Sequence, residues 1–233
     1  MEFTKTVLTK IVQETSDTYS FIMDVPAGFT WKAGQHVAWQ IPGFQLDPED
    51  RNTRVFTIAS APEDGYLMFT TRIAEPHTSL KEVLLHQIKP GAEIGVAKPM
   101  GKFALDTEHY KETLILAGGI GVTPIRSLLR HYMEQPVNGH KITLLYSDDR
   151  GEFAYGDFWK ELEKRVPGLD LKLISVRDEF TDGTDAYAKA QGNAAEYLVA
   201  GSPGMNKAFT ERLEKLGVAA ENIKTDVFMG YKD

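Results

Sequence analysis

The 233-residue chain contains no cysteine. That absence excludes disulfides, iron–sulfur clusters and thiolate zinc sites within these residues, and it suits a reducing compartment. Positive charge is also scarce, with 26 Lys and Arg against 33 Asp and Glu and a formal net charge of -7. A surface of that sign disfavours nucleic acid and anionic lipid as partners. No window approaches the roughly 18 consecutive apolar residues of a membrane span, and the opening "MEFTKTVLTKIVQETSD" lacks the charged-then-apolar order of a signal peptide. A cytoplasmic chain without membrane insertion is expected. The six histidines, at 36, 77, 86, 109, 131 and 140, fall at no metal-ligand spacing, so no metal is expected either.

Two grammars divide what is present. Up to about residue 105, "KTVLTKIV", "YSFIMDV", "QHVAWQI", "RVFTIAS", "YLMFTTRI" and "AEIGVAK" are short, rich in β-branched and aromatic residues, and parted by Gly, Pro, Asp and Asn. Six such strands predict a small antiparallel barrel. One helix interrupts them, "SLKEVLLHQI", with apolar residues at 80, 83, 84 and 88. From residue 112 strands alternate with helices: "TLILAGG" precedes a helix over 123–135, "KITLLYS" precedes "GDFWKELEKRV", and "LDLKLISVRD" then "AEYLVAGS" lead to a helix over 205–216. That alternation predicts a doubly wound parallel sheet. The polar stretch "DTEHYKE" supplies the boundary, giving parts 1–108 and 109–233.

The turn "LILAGGIGVTPIRSLLR" ends a strand and opens a helix, with Thr123 placed for the N-cap and Pro124 for the first helical position. Glycines there let a diphosphate approach backbone N–H groups at the positive end of the helix dipole. The pattern GGxGxTP is neither the P-loop nor GxGxxG, and taken alone it also suits a plain tight turn.

Together the motifs resemble the ferredoxin–NADP reductase superfamily. "RVFTIASAP" is similar to its Arg-x-Tyr-Ser-x-x-Ser motif, "AGGIGVTP" to its nicotinamide glycine turn, "AKPMGKF" to Gly-Pro-x-Gly-x-Phe, "VAGSPGM" to Cys/Ala-Gly-Pro-Pro-x-Met, and "DVFMGY" to the acidic-x-Phe-x-Gly-Tyr ending of some members. They occur in the family's order over most of the chain. The resemblance implies a flavin-binding barrel followed by a nicotinamide-binding α/β domain. It implies FAD, with FMN the alternative, and NAD(P)H as co-substrate.

Carried over residue by residue, Arg54 would hold a flavin phosphate, Phe56 would lie along the isoalloxazine, and Thr57 would approach flavin N5 as the catalytic group. Phe56 lacks the family's tyrosine hydroxyl, and Thr57 replaces serine with a stiffer side chain that still donates and accepts. In "PHTSLKEVL" the family's glycine is missing, yet Thr78 or Ser79 can cap the helix and leave its amides, with Lys81, for phosphate. Capping alone is an open alternative. Phe228 and Tyr231 would cover the flavin face, or serve only in packing.

For the dinucleotide, the resemblance assigns Gly118, Gly119, Gly121 and Thr123 to the pyrophosphate, and Gly201, Pro203 and Met205 to the nicotinamide border. Ser147 and Arg150 could meet a 2′-phosphate. Asp148 and Asp149 instead favour a free ribose hydroxyl, so NADH and NADPH both stay open. The implied reaction is hydride transfer to flavin and electron delivery to a separate acceptor, such as ferredoxin, flavodoxin or another redox protein. Alternatives are a flavin or ferric reductase acting on small molecules, and a nucleotide-sensing flavoprotein without useful turnover.

Overall fold

A computed structural model of the chain describes residues 1–226. Phe228 and Tyr231 lie outside them. Strands β1 (Thr4–Gln13), β2 (Thr18–Met23), β3 (His36–Gln40), β4 (Thr53–Thr57), β5 (Leu67–Arg72) and β6 (Glu93–Val96) form one antiparallel sheet in the order β4-β3-β6-β1-β2-β5. The sheet curls until its ends meet, where Ala59 N–H donates to the Met68 carbonyl at 2.7 Å. Alternating side chains fill the barrel, among them Leu8, Phe21, Trp39, Ile58 and Phe69, all wholly buried. Helix α1 (Ser79–Glu82) runs into a π turn over Val83–Gln87, and Leu80, Val83 and Leu84 from this segment join the barrel core.

Strands β7 (Glu112–Gly118), β8 (Lys141–Ser147), β9 (Leu169–Ile174), β10 (Ala195–Ala200) and β11 (Ile223–Thr225) form a parallel sheet in the order β11-β10-β7-β8-β9. Successive residues point to opposite faces, and each face carries a core. Ile115, Ala117, Leu144, Tyr146 and Leu198 pack with α2 (Val122–Glu134) and α3 (Gly156–Arg165), while Leu114, Leu116, Leu145, Tyr197 and Val199 pack with α4 (Arg177–Gln191) and α5 (Pro203–Lys215). This is the doubly wound arrangement expected of a parallel sheet buried on both faces.

Sequence patterning does not foretell two of these elements. Helix α4 buries just Phe180, Thr184 and Ala188, a stripe one residue wide that includes a threonine, and it carries Gly183 in its interior. Strand β11 is three residues long and has no alternation to detect. Helix α5 begins two residues earlier than expected, because Ser202 caps it by accepting from Met205 N–H at 3.2 Å.

The sheets are joined by residues 97–111 and share a core. Ala59, Met68 and Phe103 belong to the same apolar cluster as Ile115, Ile125 and Leu128. Polar links reinforce it. Arg126 of α2, with only 8% of its side chain exposed, forms an ion pair with Asp64 and donates to the Ala59 carbonyl at 3.1 Å.

Candidate functional site

A cleft of about 910 Å³ lies against the barrel. Arg54, Phe56 and Thr57 of β4 line it with Thr70 and Thr71 of β5, Thr78 and Lys81 line it from α1, and Ile120 and Thr123 line it from the turn after β7. One cavity is thus walled by both sheets' machinery. Thr57 is 4% exposed. Phe56 stacks on Phe69 with ring centroids 5.1 Å apart, and Phe69 stacks in turn on Phe21 at 4.9 Å. That three-ring column fixes where β4 presents its aromatic face.

The phosphate cradle expected from Arg54, Ser79 and the α1 amides contains a protein carboxylate. Asp50, in the loop between β3 and β4, forms an ion pair with Arg54 and accepts from Arg51 N–H at 2.8 Å, Ser79 Oγ at 2.9 Å and Leu80 N–H at 2.7 Å. Arg54 Nη1 also donates to the carbonyls of Arg51 and Thr53, at 2.8 and 2.9 Å. Burial pushes the Asp50 carboxyl up, but the Leu80, Arg51, Ser79 and Arg54 hydrogen bonds outweigh it and hold the group well below the usual carboxylate range. The Asp50 side chain is 8% exposed. Thr78, not Ser79, is the N-cap, its Oγ1 accepting from Lys81 N–H at 3.4 Å. Burial, together with the Arg54 and Arg72 cations, lowers the Lys81 ammonium from its ordinary value.

The glycine turn differs from its expected form at the helix start. Residues Gly119–Gly121 make a tight helical turn that runs directly into α2 at Val122, so Gly121 occupies the cap position with helical φ and ψ of -60° and -11°. Thr123 therefore sits inside the first turn and is not the N-cap. Its Oγ1 donates to the Ile120 carbonyl at 3.1 Å. At the C-terminal edge of the parallel sheet, Gly118 pairs with Ser147, and Ala117 pairs with Ala200 just before Gly201. Three expected nucleotide-binding segments are thus neighbours where open α/β sheets bind ligands.

Within this edge the glycines serve close packing as well. A Cβ on Gly118 or on Gly201 would overlap the Met205 thioether, and a Cβ on Gly121 would overlap the Ala200 carbonyl. Gly119 is different. Its φ is +51° and nothing lies within 4 Å of the Cβ position. Pro203 is the first residue of α5, after the Ser202 cap.

Arg150 is engaged by two carboxylates. Its Nε and Nη2 each donate to Asp148 at 3.2 Å, and its Nη1 pairs with Asp17 of the barrel at 2.7 Å. Asp17 also receives Arg72 Nε at 2.8 Å. Burial raises the Asp17 carboxyl, but the Arg150 and Arg72 hydrogen bonds and charges overcome that and leave it below its ordinary value. Beside this chain of charges a second link crosses from sheet to sheet. Tyr155 Oη donates to Thr70 Oγ1 at 2.6 Å, Thr70 and Ser20 share a bond at 2.8 Å, Ser20 Oγ donates to Glu14 at 2.6 Å, and Glu14 accepts Tyr155 N–H at 3.2 Å. The circuit closes on itself. It holds Tyr155, a non-glycine residue at φ +66°, in the left-handed region.

Asp50, Thr70, Asp17 and Tyr155 were not foreseen from the sequence. A spacing of four residues before Arg54 is the one sequence signal attached to Asp50, and it is common in loops.

Comparison with known proteins agrees with this geometry. Residues 115–211 match the family model described as the oxidoreductase NAD-binding domain. The glycine betaine monooxygenase reductase subunit of Pseudomonas aeruginosa is 28% identical over 180 residues, covering 76% of this chain and 48% of that protein. The chain spans about half the length of the curated relatives it matches first. Among solved structures, ferredoxin–NADP+ reductase from Plasmodium falciparum superposes with a TM-score of 0.79 at 15% identity, covering 97% of this chain and 96% of that one. The FAD/NAD-binding domain of nitric oxide dioxygenase from Vibrio cholerae gives 0.75 at 17%, covering 96% and 98%. The chain thus carries an oxidoreductase NAD-binding domain over residues 115–211 and, over nearly its whole length, the fold of ferredoxin–NADP+ reductase.

Proposed function

We propose that the chain is a flavin-dependent oxidoreductase that draws reducing equivalents from NADH and delivers them to a separate acceptor. One observation carries it: a single cleft is lined by Phe56 and Thr57 of the barrel and by Ile120 and Thr123 of the turn before α2. A planar ligand on the barrel and a nicotinamide on the turn would share that cavity. Residues 1–108 are the proposed flavin-binding part and 109–233 the nicotinamide-binding part.

The cleft's volume, its threonine hydroxyls and the Phe56 ring suit the ring and ribityl portions of a flavin. FAD is the proposed form and FMN the alternative, with the Vibrio relative's FAD/NAD-binding domain in support. A bound flavin would supply hydride acceptance at N5 from nicotinamide C4 and onward electron donation. The chain's residues supply orientation and dryness. Thr57, buried at the end of β4 and lining the cleft, would donate to or accept from the flavin edge through its hydroxyl. Phe56 sets the ring plane. The edge glycines Gly118, Gly119, Gly121 and Gly201, with Pro203 and Met205, seat the nicotinamide nucleotide.

NADH is favoured over NADPH because the Arg150 guanidinium already faces Asp148 and Asp17. A 2′-phosphate beside Ser147 would meet carboxylates in place of a free cation. The acceptor is a distinct protein such as a ferredoxin or flavodoxin, consistent with a relative that is one subunit of a monooxygenase. A flavin reductase acting on free flavin is the second reading, favoured by Asp50 in the phosphate cradle. No helix among the described residues is long and apolar enough to cross a membrane. We place the protein in the cytoplasm, in reach of NADH.

An anaerobic visible spectrum of the protein with flavin, before and after NADH or NADPH, tests the reading. Bleaching of the flavin bands is expected, faster with NADH. A spectrum unchanged by FAD or FMN overturns it.

A further inference from the structure

The loop between β3 and β4 delivers Asp50 to the place where the family resemblance puts a flavin phosphate. Its carboxylate takes the Arg54 ion pair, the Ser79 hydroxyl and the Leu80 amide, the donors otherwise offered to a phosphate. Thr78 Oγ1 takes the next amide, that of Lys81. The cradle is closed from the loop side as well, since Asp47 N–H donates to Ser79 Oγ at 3.0 Å. We infer that Asp50 is a built-in anion that substitutes for the flavin phosphate, so that this cleft recognises the isoalloxazine and ribityl portions and discriminates little between riboflavin, FMN and FAD.

The physical reason is competition for one set of donors. A phosphate entering the cradle must either displace a carboxylate that already accepts from four groups, or sit beside it and bear like-charge repulsion in a partly buried site. Neither penalty falls on riboflavin, which carries no phosphate. The flavin then exchanges, as a ligand held chiefly by stacking and hydroxyl contacts does.

The inference rests on the flavin reading above, and the experiment separates the two. Riboflavin, FMN and FAD are titrated separately against the flavin-free full chain by quenching of flavin fluorescence, for wild type, Asp50→Asn and Asp50→Ser. Wild-type dissociation constants for the three flavins are expected to agree within about tenfold. In the variants FMN and FAD should tighten by about tenfold or more, because Arg54 and the α1 amides are released to phosphate, while riboflavin stays unchanged. Riboflavin affinity also reports whether each variant's cleft is intact, and the wild-type comparison stands without them.

FMN and FAD binding more than about tenfold tighter than riboflavin in wild type overturns the inference and leaves the flavin reading standing. So does a loss of FMN affinity in the variants with riboflavin unchanged, which would make Asp50 a positioning residue for Arg54. Quenching of none of the three flavins overturns the flavin reading itself, and the inference with it.

Discussion

Gly119 and Gly121 stand two positions apart in one turn, yet an alanine meets different surroundings at each. At Gly121 the added methyl collides with the backbone of Ala200, which belongs to a wholly buried strand and cannot give way. Overpacking of this kind costs roughly 1–3 kcal/mol. At Gly119 the methyl has open space and bears only the left-handed φ, worth about 1–2 kcal/mol. Thermal melts of the flavin-free protein should therefore show Gly121→Ala losing more stability than Gly119→Ala, with the proposed nicotinamide site damaged as a consequence. Equal melting temperatures would show that Gly121 serves the ligand alone. Asp148 sets the second residue-scale prediction. Asp148→Ser releases the two Arg150 guanidinium bonds and should raise the ratio of NADPH to NADH kcat/KM by about tenfold, the usual scale of one charge-assisted phosphate contact. An unchanged ratio argues that Arg150 lies away from the ribose.

Among the elements, the hairpin joining β1 and β2 acts as a clasp on the loop before α3. It brings Glu14 and Asp17 against Tyr155 and Arg150. The Asp17 carboxyl is held below its unfolded value, so its stabilising contribution is complete above about pH 4 and disappears as pH falls toward the folded value. Asp17→Asn should accordingly melt below wild type at pH 7, with the gap closing as the pH is lowered to about 3. A gap that is constant with pH would remove Asp17's charge from the clasp. These same elements show what could be read in advance. The six barrel strands and β7, β8 and β10 announce themselves as short runs rich in β-branched, aromatic and aliphatic residues between turn residues. Helix α4 does not, since its buried face is one residue wide. The mis-set cap at Thr123 has a similar origin: a Thr-Pro pair looks like a helix start, but the preceding glycines had already begun to coil. Arg54, Phe56, Thr57, Lys81 and Thr123 do meet in one cleft. Asp50 was invisible because a carboxylate's role as internal anion depends on two loops meeting across 29 residues of sequence.

For the whole molecule, the barrel and the parallel sheet are two architectures around a partly common core. Met68 and Phe103 lie in one apolar cluster with Ile125 and Leu128, and Arg126 is buried across the same boundary with Asp64. Separating the halves would expose that cluster and leave Arg126 and Asp64 unpaired, which is costly for buried charges. Calorimetry should then give one unfolding transition with matching calorimetric and van't Hoff enthalpies. Two resolved transitions would mean that the shared core contributes little.

Strand β7 lies between β10 and β8, with Thr113 to Ala117 fully buried and paired on both sides. Its amides sit where opening requires the sheet to come apart on both sides, so they should exchange among the slowest of the described residues. The glycine turn hangs directly from that strand. A dinucleotide bound there, as proposed, would meet a loop whose ordering entropy was spent when the chain folded, and its affinity need not cover that cost again.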